Sequence, residues 1–404
     1  MNLKQAQDYL NASIGRKKGL AAVSAALAAL DNPQEQLKVI HVAGTNGKGS
    51  FCAMLGNVLK TAGFRAGVFT SPHLERLNER FVINGEQITD GDFLRILAQI
   101  IEISDKMYGE DDGFAFFEIF VLIAFTYFAE KSVDFLLLEV GIGGRLDATN
   151  VIKTPILSAI MAIGYDHMEM LGDTLPEIAR EKGGIIKENC HLVLYDDTHL
   201  VYNIFREMAA AKNAKIYHAR DHSVNALKIG LLGEHQRENA RAVLAACAAL
   251  RDLGVTLADS HIMEGLATAR HPGRMEIIAE NPMILLDGAH NLQGAMALAH
   301  NMETLFAGGD FTVILGILRD KDYQKIVNIL TAPAKRIIFT KPSYDLKAVA
   351  PENLAKLLKS DNQEVFAVQS YAEALQLAYR ITPTDGIILV TGSLYLVGDI
   401  RPLA

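Results

Sequence analysis

The chain predicts an α/β protein: a P-loop-containing domain on a mainly parallel sheet, followed by a second, smaller Rossmann-like α/β domain. Three observations carry this. Short apolar runs alternate with helical stretches through most of the 404 residues, the pattern of parallel strands buried on both faces. One of those runs, residues 37–43, opens directly into Gly44-Thr-Asn-Gly-Lys-Gly-Ser50, and a helical segment that Gly63 should stop follows. The alternation breaks at His271-Pro-Gly-Arg274 and then restarts. Domains are therefore expected at residues 1–273 and 274–404, because 404 residues exceed one ordinary core.

In chain order, residues 2–30 have helical spacing up to the Asp31-Asn-Pro33 break. Arg65-Ala-Gly-Val-Phe-Thr-Ser71 is a second strand, and residues 72–80 form a polar loop. Asp90 is expected to cap a helix reaching about Met107, and Asp111-Asp-Gly113 to turn. Residues 116–130 form an apolar helix, too short for the roughly 20 apolar residues that cross a bilayer. Residues 134–140 and 155–163 read as buried strands, 175–186 as a helix and 192–195 as a strand. The alanine-rich stretches 233–250 and 260–269 are helical. Beyond the break, residues 283–287, 312–316, 336–340, 364–368 and 387–392 are strands with helices between.

Composition excludes several classes of function. With 39 basic and 47 acidic residues the formal charge is −8, so no basic field is available to hold nucleic acid. The polar N-terminus lacks a signal-peptide apolar region. Cys52, Cys190 and Cys247 are far apart and in no metal-ligand spacing. Reduced thiols in a cytoplasmic protein, without a membrane partner, are the expectation.

The chemistry gathers where the strands end. A glycine turn between strand and helix aims backbone amides inward, the helix dipole adds positive potential, and Lys48 adds a full charge. The spacing is not that of the common P-loop: Val42 stands where the first glycine belongs, and Gly49 separates Lys48 from Ser50. Lys48, Ser71, Glu139 and His167 all fall at or just past predicted strand ends, which implies one shared site. Glu139 closes an apolar strand and needs either a metal ion or an ion pair with Arg145. Ser71 offers a hydroxyl oxygen. His167 is an uncomfortable ligand for oxygen-preferring magnesium, and alone it reads as a hydrogen-bonded loop histidine. Lys182, beside two glycines, is open to three readings: a free cation, a surface residue or a carbamylated lysine. In the second domain Asp287-Gly-Ala-His-Asn291 follows a strand, and Arg274 lies at the hinge. Each alone reads equally as an ordinary turn or surface group.

Taken together these residues resemble the Mur ligase superfamily. The motifs are Gly44-Thr-Asn-Gly-Lys-Gly-Ser50, Glu139-Val-Gly-Ile-Gly-Gly-Arg-Leu-Asp-Ala-Thr-Asn150, Asp166-His167, Glu181-Lys-Gly-Gly-Ile-Ile186 and Asp287-Gly-Ala-His-Asn291. Thr70-Ser-Pro-His-Leu74, Asn78-Glu-Arg80 and Phe116-Phe-Glu118 narrow the resemblance to the folylpolyglutamate synthase and dihydrofolate synthase family. The motifs run in order from about residue 18 to Arg401.

The resemblance implies an ATP-dependent ligase that adds L-glutamate to a folate or dihydropteroate carboxylate. It implies that Thr45, Asn46, Gly47, Lys48, Gly49 and Ser50 hold the ATP phosphates, joined by Asn239, Arg274 and Asp287. Magnesium, expected at two sites, would be held by Ser71, Glu139 and His167. Lys182 matches a carbamylated lysine. Gly19 and Leu20, Phe116, Phe117 and Glu118, and Leu146, Asp147 and Ala148 match pterin-binding segments. Lys48, Lys182, His167 and Arg274 are the expected catalytic groups, in a monomer. Two departures stand out: Ala115 where the family has threonine, which bears on pterin preference, and His271 where an aromatic often precedes Pro-Gly-Arg. A Mur-type ligase acting on another carboxylate, and a non-enzymatic nucleotide switch, are the rival readings.

Overall fold

The computed structural model describes residues 1–109, 112–195, 198–344, 347–358 and 362–404. The described residues divide into two compact units. One comprises residues 1–71, 77–228 and 238–269, and the other residues 72–76, 229–237 and 270–404.

The first unit is built on eight strands: β1 (Val39–Ala43), β2 (Ala66–Phe69), β3 (Phe81–Ile83), β4 (Glu86–Gln87), β5 (Phe135–Glu139), β6 (Leu157–Ile160), β7 (His191–Leu194) and β8 (Lys215–His218). Their order is β4-β3-β2-β5-β1-β6-β7-β8, parallel except at β3, which runs antiparallel to both β2 and β4. The chain leaves β1 for β2 on one side and leaves β5 for β6 on the other, so the connections diverge between β1 and β5. Such a switch point opens a crevice at the carboxyl ends of the strands. Register places Val42 opposite Glu139 there.

Neighbouring strand residues point to opposite faces, and the packing follows that rule. Gly56 of helix Lys48–Thr61 lies against Val68 and Leu137, whereas Phe128 of helix Phe116–Glu130 lies against Gly67. The two helices therefore cover opposite faces. Helix Phe116–Glu130 is apolar all round because it is buried all round, among helices Leu3–Ala12, Leu20–Ala29 and Asp90–Tyr108. Helix Lys48–Thr61 ends as Gly63 dictates: Gly63 N–H donates to Lys60 O (2.9 Å) and Phe64 N–H to Leu59 O (3.0 Å), with Gly63 at φ +88°.

The second unit holds β9 (Glu276–Glu280), β10 (Met283–Leu286), β11 (Phe311–Leu315), β12 (Arg336–Phe339), β13 (Glu364–Ala367) and β14 (Ile387–Thr391), ordered β13-β12-β11-β14-β10-β9. All are parallel but β9. The two apolar clusters on either face of this sheet come from helices Leu292–Leu305 and Tyr323–Thr331 on one side, and Tyr371–Ile381 and Leu394–Ile400 on the other. A two-unit α/β architecture with mixed, mainly parallel sheets is thus what the sequence predicted.

Local differences have physical reasons. Strands β3, β4, β8 and β9 were not predicted. β3 and β4 span only three and two residues, and β8 and β9 are only partly buried, so none shows an apolar run longer than three residues. Helix Asp90–Tyr108 is capped by Thr89, whose hydroxyl accepts from Asp92 N–H (3.1 Å), one residue before the cap expected. The turn expected at Asp111 lies outside the described residues. Among the described residues, no helix is long and apolar enough to cross a membrane. Cys52, Cys190 and Cys247 are buried and unpaired.

Candidate active site

Strand β1 delivers the glycine loop at the switch point, and the loop folds tightly. Thr45 and Asn46 N–H both donate to Ala162 O (2.8 and 3.2 Å), while the Thr45 hydroxyl bonds Gly164 O and Gly164 N–H (3.0 Å each). The loop is thereby tied to the segment leading to Asp166 and His167. Gly47 closes it at φ +85°, and a Cβ there would collide with Asn239 Oδ1. Asn239 is thus brought to the loop from helix Glu234–Asp252, as the resemblance implies. The first amides of helix Lys48–Thr61 have no intrahelical acceptor and form the anion-facing end.

Two lysines crowd this corner. Lys48 Nζ donates to Gly44 O (3.1 Å) and Thr45 O (3.3 Å) and lies 3.7 Å from Glu139 Oε1. Lys182 Nζ, from the last turn of helix Leu175–Gly183, donates to the same Gly44 O (2.9 Å). Burial, reinforced by the Lys48 charge, brings the Lys182 ammonium down to about 7, against smaller pulls from Asp166 and Asp147. A large share of this buried amine is therefore neutral near neutral pH. The surface reading for Lys182 is excluded, because the residue is buried.

Glu139 is buried, and Ser71 N–H donates to its Oε2 (3.0 Å). Arg145 does not pair with it: its side chain is 57% exposed and grips Glu181 (2.8 Å). Lys48 approaches Glu139 instead. His167 adopts φ +50°, with its ring 37% exposed and Nε2 3.9 Å from Asp166 Oδ1. Among the described residues no cluster of three or more His, Cys, Asp or Glu side chains makes a self-contained metal site. One buried carboxylate with an adjacent hydroxyl residue is the sparse donor set magnesium accepts when substrate phosphates and water complete its shell. The residues fit that ion.

The second unit has its own turn at a strand end. Asp287 accepts Met275 N–H and Ala289 N–H (2.9 Å each), and Gly288 leaves room for Arg274 Nη1. Arg274 and Asp287 are therefore neighbours. Asn291 caps helix Leu292–Leu305 by accepting Gly294 N–H (2.8 Å), and His290 Nδ1 lies 2.7 Å from Gly288 O.

Residues 273–394 match the family described as Mur ligase, glutamate ligase domain. The chain is 35% identical over 419 residues to the dihydrofolate synthase/folylpolyglutamate synthase of Bacillus subtilis, covering 96% of this chain and 95% of that protein. The folylpolyglutamate synthase of Lacticaseibacillus casei is 33% identical over 93% of this chain and 92% of its own length. The structure of Mycobacterium tuberculosis folylpolyglutamate synthase complexed with ADP superposes with a TM-score of 0.91 at 27% identity, covering 99% of this chain and 98% of that one.

The chain belongs to the folylpolyglutamate synthase family.

The folylpolyglutamate synthase segments expected to hold pterin are brought together around one turn. Phe117 packs its ring on Gly141, with Phe69 6.0 Å away. Asp147 Oδ2 accepts Gly141 and Ile142 N–H (3.1 and 3.0 Å), and its Oδ1 accepts Thr149 N–H (3.0 Å) and the Thr149 hydroxyl. Glu118 reaches Lys18 and Gly19. Leu146 is exposed, whereas Ala148 is buried.

Two groups here escaped the sequence reading. Arg80 is buried with its guanidinium 4.6 Å from the Phe120 ring and 5.6 Å from Phe116. Its place in Asn78-Glu-Arg80 was the available signal. His41 is buried on β1, with Nε2 2.8 Å from Thr149 Oγ1. Because Thr149 gives its proton to Asp147, His41 must donate from Nε2 and is neutral. Burial, then the Lys187 charge, lowers its pKa to about 3. An imidazole in an otherwise apolar strand was the only hint.

Proposed function

We propose that this chain is an ATP-dependent acid–amino-acid ligase that joins L-glutamate to the carboxylate of a folate, with dihydropteroate as a second acceptor. The reaction passes through an acyl phosphate and releases ADP and phosphate. The observation that supports it most is the close approach of Lys48 to Glu139 at the β1–β5 switch point, in a chain this similar to dihydrofolate synthase/folylpolyglutamate synthase.

An acceptor carboxylate oxygen attacks the γ-phosphorus of ATP. A new O–P bond forms, the bond to the β,γ-bridging oxygen breaks, and ADP leaves. The helix N-terminus and Lys48 offset the charge that develops, which is most of what catalyses phosphoryl transfer. The neutral amine of glutamate then attacks the acyl carbon, phosphate departs with the C–O electron pair, and the nitrogen loses a proton. Thr45 to Ser50, Asn239, Arg274 and Asp287 serve ATP. Ser71, Glu139 and His167 would hold magnesium, which supplies charge neutralisation on the phosphate oxygens when bound. Gly19, Leu20, Phe116 to Glu118 and Leu146 to Ala148 serve the acceptor. Residues 1–273 carry the nucleotide chemistry and 274–404 the glutamate-ligase part, in a monomer.

Lys182 has a lowered pKa, so its amine is free to attack carbon dioxide, forming an N–C bond, losing a proton and becoming a carbamate. A mass increase on Lys182 in gentle conditions that acid removes is the expected result; full activity in Lys182→Arg rules the carbamate out.

The deciding experiment is phosphate release with tetrahydrofolate and with dihydropteroate in parallel, each with and without glutamate. Release requiring glutamate and at least one of the two is expected. Release with neither defeats the assignment.

A further inference from the structure

Glu118 sits in the first turn of helix Phe116–Glu130, and its carboxylate is buried. Its Oε1 accepts Lys18 N–H (3.0 Å) and Gly19 N–H (2.7 Å), and its Oε2 accepts Ala115 N–H (2.8 Å). Phe116 N–H adds a bond to Ser13 O (3.3 Å). The segment before Gly19 is thus joined to the segment carrying Phe116 and Phe117 by three hydrogen bonds, two of them on the Glu118 carboxylate, whose third bond fixes Ala115 at the start of its own helix. Lys18 is fixed at its other end as well, by an ion pair with Asp112 and by the Tyr108 ring 4.4 Å from its ammonium.

An ionised carboxylate has about four acceptor positions, and three are taken by main-chain amides. Little of Glu118 is left to read a polar edge of a ligand. Gly19 itself is at φ +84° with nothing near its missing Cβ. Its shape is therefore set by backbone torsion and by the amide bond to Glu118, not by packing around the glycine.

We propose that Glu118 is a positioning residue: it clamps Lys18–Gly19 to the turn before Phe116 and so sets the gap in which the acceptor's ring system is held. The ligand-facing part rests on the folate-ligase reading above; the clamp itself does not.

The test compares the full chain with Glu118→Gln and Glu118→Ala. Gln is isosteric and keeps one acceptor oxygen, so it loses the Ala115 bond while keeping those to Lys18 and Gly19. Ala strands all three amides. KM for tetrahydrofolate should rise about tenfold or more in Glu118→Ala and by less in Glu118→Gln, with KM for ATP within about twofold of the starting value in both. A 2-desamino folate should lose affinity by the same factor as its parent. Loss confined to the parent would mean that Glu118 touches the pterin directly, and it overturns the proposal, as does an equal rise in both KM values or no rise. Amide exchange decides the clamp even if the wild-type protein uses no folate. Faster exchange confined to residues 14–20 and Ala115 upholds it, and unchanged or uniformly faster exchange overturns it.

Discussion

The phosphate corner and the Asp147 turn both hold buried charged groups within the first unit, and they treat them in opposite ways. At the phosphate loop, Lys48 and Lys182 donate to the same carbonyl, Gly44 O, and one lysine's charge weakens the other's hold on its proton. At Asp147, the carboxylate accepts three amide protons and one hydroxyl, behind which His41 donates to Thr149. The first arrangement is costly unless an anion arrives to relieve it. In the second both carboxylate oxygens are met by donors, although burial still raises the Asp147 pKa and His41 Nδ1 is left without a hydrogen bond. Buried charge alone therefore does not mark a reacting centre; buried charge in mutual conflict does.

The comparison breaks most visibly at Lys48. Lys48→Ala should lower the rate of phosphate release by about a hundred- to a thousandfold. Lys182 is the internal check. Its pKa in the fold is about 7 against an ordinary 10.5, so the unfolded chain binds the extra proton between those values and stability rises with pH across that window. Removing the Lys48 charge should raise the lower end of the window, read from melting temperatures between pH 6 and 10. A window that does not move would show that the two lysines are not in conflict.

Gly47→Ala should destabilise the chain by about 1–3 kcal/mol, because a left-handed torsion and the Asn239 oxygen both oppose a methyl group there. Adding Asn239→Ala should return only the steric part. Full recovery in the double variant, measured by denaturant unfolding, would mean that the torsion carries no strain.

The smallest effect belongs to the Asp147 turn. His41→Gln keeps a donor for Thr149 without a titrating group. His41 has a pKa of about 3 in the fold against 6.5, so the unfolded chain takes the proton first, and stability falls as pH drops through that interval. The variant should fall less steeply than the wild-type chain between pH 6.5 and 3. Parallel profiles would place the acid sensitivity elsewhere.

Most of the parallel strands and the phosphate loop were legible because apolar runs and a glycine turn are local signals. Strands β3, β4, β8 and β9 were not, since they are too short or too exposed to leave a long apolar run. The placing of Lys48, Ser71 and Glu139 at strand ends was legible for the same reason that the strands were. That Glu139 faces Lys48, not Arg145, depends on where residues 141–150 dock against helix Leu175–Gly183, through Arg145 N–H to Glu181 O (2.8 Å). No spacing rule carries that information. Glu118 was visible as part of a motif, but its partners lie about a hundred residues earlier in the chain, where periodicity is silent.

That distance has a consequence for the order of assembly. The bonds from Lys18 and Gly19 to Glu118 close loops spanning 100 and 99 residues, and closure of such a length is slow and entropically costly before other contacts have formed. Docking of the N-terminal segment is therefore expected to follow the formation of helix Phe116–Glu130, whose own hydrogen bonds are local. Contacts made that late hold the folded chain chiefly by slowing its unfolding, with little effect on how fast it folds.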